Sequence, residues 1–117
     1  DRDSRDMARA IEKVIDPRSV GGIVFVNMRP FYGLNIYLDT RIDGLQIDET
    51  RWDYSKFVAG KDLCPELAGS GKYVYALKES KVERFREGVL RCEGMQPELL
   101  GHFDADGNRI ALFFVRQ

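Results

Sequence analysis

The chain has 117 residues, 44% apolar and 32% charged, with 18 Lys and Arg against 19 Asp and Glu and a formal charge of −1. Such a length and balance predict a single folded domain over residues 1–117 and exclude wholesale disorder, and no apolar run approaches the ~18 residues a membrane-spanning helix needs. A nucleic-acid partner is not expected, because phosphate contacts call for a basic excess or stripe, and the longest basic cluster (Lys81, Arg84, Arg86, Arg91) is interleaved with Glu83, Glu87 and Glu93.

Residues 3–16 predict an amphipathic helix. Met7, Ala10, Ile11, Val14 and Ile15 recur at helical spacing and form one apolar stripe. Asp3 or Ser4 can cap its start, Asp6 suits the positive end of the helix dipole, and Pro17 stops it. Residues 20–28 hold Ile23, Val24, Phe25 and Val26 in succession, which reads as a strand covered on both faces and ended by Pro30. Over residues 32–42, Leu34, Ile36 and Leu38 alternate with Asn35, Tyr37 and Asp39, the pattern of a half-buried strand. Asp43-Gly44 then reads as a two-residue hairpin turn, with Leu45 and Ile47 on the return strand.

Residues 49–72 show no winning period, although Trp52, Tyr54, Phe57 and Val58 supply bulk; residues 68–72 read as a loop tip. Residues 73–77 predict a strand. In residues 79–92, Val82, Phe85, Val89 and Cys92 fit a helical stripe, against which Gly88 counts by about 1 kcal/mol relative to Ala. Two short strands meeting near Glu87-Gly88 are the alternative, and the helix is preferred. At the end, residues 97–103 and 108–116 flank an Asp-Gly turn at Asp106-Gly107, whose register sets Asp104 opposite Arg109 and Phe103 opposite Ile110. Residues 110–115 are apolar throughout, so that strand is expected to be central. The fold class predicted is α+β: an N-terminal helix packed on an antiparallel sheet built from hairpins, with a second helix near 79–92 as the preferred addition.

Most candidate chemistry fails on inspection. Residues 68–72 (Ala-Gly-Ser-Gly-Lys) match the end of a phosphate-binding loop, but Glu66 stands where the first Gly belongs and Tyr73 where the Mg²⁺-binding Ser or Thr belongs. Asp104, Asp106 and Asn108 match the first ligands of a calcium loop, but Arg109 and Val115 occupy the positions of its Gly and its bidentate carboxylate. No metal site and no cofactor is expected. His102 is the only histidine, which excludes chemistries that require two, and a Cys–His pair with Cys64 or Cys92 would need the thiol within hydrogen-bond reach. In the predicted first hairpin Asp39 faces Asp48, a like-charge pair that fits either a polar site or a solvated edge.

Cys64 and Cys92 are too far apart in sequence for a thioredoxin-type or zinc motif. Either they are two buried thiols, or they form a disulfide closing a loop of about 28 residues and contributing ~3–4 kcal/mol. The chain opens on Asp1 and not on Met, which leaves two readings: an exported chain whose signal was removed, or a native start at Met7 preceded by added or upstream residues. A periplasmic or secreted location is favoured over a cytoplasmic one.

By elimination the leading expectation is a non-enzymatic protein-interaction module of the small inhibitor, immunity, chaperone or periplasmic accessory type. Its contact surface is placed on Trp52, Tyr54, Tyr73 and Tyr75, since the two tyrosines share a face if Val74 is the buried neighbour. The alternative is a small-ligand module or minor enzyme with a pocket between helix and sheet, its polar groups Asp39, Asp48 and His102. A third expectation is a homodimer paired through an edge strand such as that following Gly44.

Overall fold

The computed structural model describes residues 2–45, 64, 67 and 72–117. It is α+β, with a helix at the N-terminus, a five-stranded mixed sheet and a further helix late in the chain. The elements in order are α1 (Arg2–Glu12), a 3₁₀ turn (Pro17–Ser19), β1 (Gly22–Val26), α2 (Leu34–Leu38), β2 (Ile42–Leu45), β3 (Tyr73–Lys78), a 3₁₀ turn (Glu79–Lys81), α3 (Val82–Leu90), β4 (Gln96–Ala105) and β5 (Asn108–Arg116).

Of the predicted apolar stripe, Met7, Ile11 and Ile15 are buried and Ala10 and Val14 are half-buried, while Ala8, outside the stripe, also lies in the core. The helix stops earlier than the proline requires. The amides of Val14 and Ile15 both reach Ile11 O, closing the last turn, and Asp16 then caps the short 3₁₀ turn that begins at Pro17 by accepting from Arg18 N. Placing Pro there is natural, because its missing N–H is one that a helix start leaves unpaired anyway. Every residue of β1 is buried, as an unbroken Ile-Val-Phe-Val run implies.

Spatial order in the sheet is β2-β1-β3-β5-β4. β1 runs parallel to both β2 and β3, while β5 is antiparallel to β3 and to β4. Next to the turn the C-terminal hairpin has its predicted register, with Asp104 opposite Arg109 and Phe103 opposite Ile110, and a bulge between Leu99 and Gly101 shifts the pairing by one further along. Its turn places Asp106 at φ 50° and Gly107 at φ 76°, the paired left-handed conformations that an Asp-Gly dipeptide accepts at least cost. β5 is interior, and its apolar run from Ile110 to Val115 is buried apart from a half-buried Phe114.

The first hairpin does not form. Residues 34–38 are helical, and Asp43 and Gly44 lie inside β2, not at a turn. The motif Leu-x-Ile-x-Leu has period two, yet its two leucines also stand four apart, so a helix buries Leu34 and Leu38 while turning Ile36 outward. The local signals favour that outcome: Asp39 takes the left-handed C-cap conformation with its N–H on Asn35 O, and Asn35 Nδ2 donates to Thr40 O. Gly44 is needed for close approach, because a Cβ there would sit 2.6 Å from Pro30 Cγ. The result is a β1-α2-β2 crossover between parallel neighbours, where alternation alone had implied an antiparallel return.

Alternating residues of the sheet feed two cores. On one face Ile23, Phe25, Ile42, Val74, Ala76, Phe103, Ile110 and Leu112 pack with α1 and with Leu34 and Leu38 of α2. On the other, Val24, Val26, Tyr75, Leu77, Ala111, Phe113 and Val115 pack with Phe85 and Val89 of α3, with Leu67 and with Cys92. The helical reading of residues 79–92 therefore holds: Phe85, Val89 and Cys92 face inward with Val82 half-buried beside them. Rings of Tyr75 and Phe113 flank Phe85 at centroid distances of 5.9 and 5.4 Å.

Cys64 and Cys92 stand at disulfide distance, with Cα atoms 5.4 Å apart. Beside them Leu67 is fully buried in the second core and its carbonyl accepts from Gln117 Nε2 at 3.3 Å. Cys64 and Leu67 thus both lie on the α3 face of the sheet.

Candidate functional site

The polar group anticipated from the sequence is not assembled. Asp39 caps α2 on the α1 face of the sheet, next to the β2 edge. His102 lies on β4, at the opposite edge, and its register partner Ala111 belongs to the α3 face. The two side chains therefore sit on opposite faces and opposite edges. Asp48 lies outside the described residues, and the hairpin that would have set it across from Asp39 does not exist. His102 instead meets Glu79: its Nε2 is 3.0 Å from the carboxylate Oε2, tying the middle of β4 to the turn that leads from β3 into α3. With Cys64 and Cys92 facing each other, neither sulfur is placed as a nucleophile for that imidazole.

The expected aromatic surface also changes. Trp52 and Tyr54 fall outside the described residues. Tyr73 is half-buried, and Tyr75 is only 2% exposed, packed against Phe85 in the second core. The inference that Val74 inside puts Tyr75 outside fails because β3 is the middle strand and is covered on both faces, so both sets of side chains are internal.

What stands out instead is a pair that strand periodicity hid. Tyr32 is 63% exposed and Ile36 is 80% exposed, one turn apart on the outer side of α2 and the turn before it. Tyr37 alongside is half-buried, with the Arg5 guanidinium 5.8 Å above its ring. Arg29, Asn35 and Asp39 are exposed along the same segment. The pair lies over Leu34 and Leu38, which anchor the helix to the first core, so its position is fixed from beneath. Had the i, i+4 spacing of the leucines been weighted above their alternation, Tyr32 and Ile36 would have been legible as an outward pair.

After β1 the chain crosses to the α1 face through α2, whereas after β3 it crosses to the other face through α3. The carboxyl ends of these parallel neighbours therefore form a topological switch point, with Asn27 held there at φ 51° and its N–H on Leu45 O. Separately, an open depression of about 300 Å³ lies between α1 and the final hairpin, lined by Asp6, Met7, Asp104, Ala105 and Asp106. Among the described residues no cluster of His, Cys, Asp and Glu is arranged to hold a metal, and no helix is long and apolar enough to cross a membrane. Asp104 and Asp106 serve the hairpin: the first pairs across to Arg109, the second makes the turn.

Compared with known proteins, the chain matches no family model, no curated protein and no solved structure.

Proposed function

We propose that this chain is a non-enzymatic protein-interaction module whose contact surface centres on Tyr32 and Ile36. The observation that carries the reading is the exposure of two large apolar side chains, at 63% and 80%, on a helix turn held rigid by Leu34 and Leu38. Single exposed apolar residues are ordinary on protein surfaces, but an aromatic and an aliphatic side chain presented together on a fixed element are the anchors that interfaces use. Tyr adds a hydroxyl able to hydrogen-bond at a rim, and Arg5 and Arg29 supply donors nearby. The Cys64–Cys92 pair supports placing the module in an oxidising compartment, the periplasm or the cell exterior.

The test is site-specific photocrosslinking in the producing cell. A benzophenone amino acid at position 36 should yield a discrete adduct with one protein, and Tyr32→Asp should abolish it. The same probe at Glu87, exposed on α3 across the sheet, should yield none. Equal labelling from positions 36 and 87, or none from 36, would overturn the reading.

A second reading, a small-ligand module, draws on the switch point beyond β1 and β3, where open α/β sheets place their ligand sites. It predicts that some nucleotide, sugar or organic acid raises the melting temperature, and that Asn27→Ala removes the rise. A panel with no such compound would leave the interaction module alone.

A further inference from the structure

We draw no further inference here: the strongest candidate, the outward Tyr32–Ile36 face of the short helix between β1 and β2, already carries the proposed contact surface, and nothing in the structure shows what covers it.

Discussion

Removing the Cys64–Cys92 bridge is the perturbation whose size the structure fixes best. The two cysteines are 28 residues apart in sequence. Closing a loop of that length restricts the unfolded chain by ~3.6 kcal/mol at room temperature in the chain-entropy treatment. For a chain of 117 residues the unfolding entropy near the transition is about 250 cal/mol/K, so the midpoint should fall by roughly 14 °C. Folded-state contacts should change little, because Leu67 is buried in the second core and bonded to Gln117 independently of the bridge. The assay is far-UV circular dichroism on heating, with and without a phosphine reductant. A Cys64→Ala/Cys92→Ala variant serves as control: it should melt near the reduced protein and ignore the reductant. Urea titration adds a second readout, since releasing the cross-link lets the denatured chain expand and should raise the m-value. A drop of less than about 3 °C on full reduction would refute the reasoning, because it would leave under a quarter of the constraint that chain entropy assigns.

The other predictions concern packing. Phe85→Ala should cost ~3–5 kcal/mol in urea unfolding, since its ring is fully buried between Tyr75 and Phe113 and the cavity is walled by a sheet that relaxes little. Gly44→Ala should cost ~1–3 kcal/mol by driving a Cβ into Pro30, and Pro30→Ala should recover part of it in a double-mutant cycle; additive losses would mean that Gly44 serves some other purpose. Leu34→Ala should cost ~2–5 kcal/mol, while Ile36→Gln should fall within about 0.5 kcal/mol of the parent, an order that a strand over these residues would not produce.

Legibility in the sequence followed the length and redundancy of each signal. The final hairpin was readable to the register because turn chemistry, cross-strand charge and cross-strand apolar pairing all agreed on Asp106-Gly107. The helix at α1 was readable from five apolar positions, and its true end was set by a local hydrogen-bonding choice at Ile11 that periodicity does not encode. Asp43-Gly44 misled because the same dipeptide that favours a turn also suits a strand pressed against a proline ring, and only tertiary proximity to Pro30 separates the two. The parallel pairing of β1 with β2 and β3 was not legible at all. Strand direction depends on where the connecting segments cross the sheet, and α2 is too short to announce itself as a crossover. Of the anticipated site residues, Cys64 and Cys92 were brought together, Asp39 and His102 were separated by the sheet, and Tyr75 was drawn into the core.

The misread segment is also where the functional proposal rests, and the two facts have one cause. As a strand, residues 34, 36 and 38 would share a face, and all three side chains would be buried together. As a helix, the chain buries the two leucines and leaves Ile36 in water, forgoing the ~1.5–3 kcal/mol that burying a side chain of that size provides. Stability alone therefore does not call for an isoleucine at position 36; any polar residue of good helix propensity serves the fold as well. The Asn35 and Asp39 contacts that close the helix show that its conformation is specified locally and does not depend on Ile36 finding a partner within the chain. An apolar side chain at a place where folding has no use for it is what a contact surface supplies, so Ile36→Gln should leave stability intact while abolishing binding of the protein that the position-36 probe captures. Should that substitution unfold the protein, Ile36 would be serving the fold and the surface would lose its anchor.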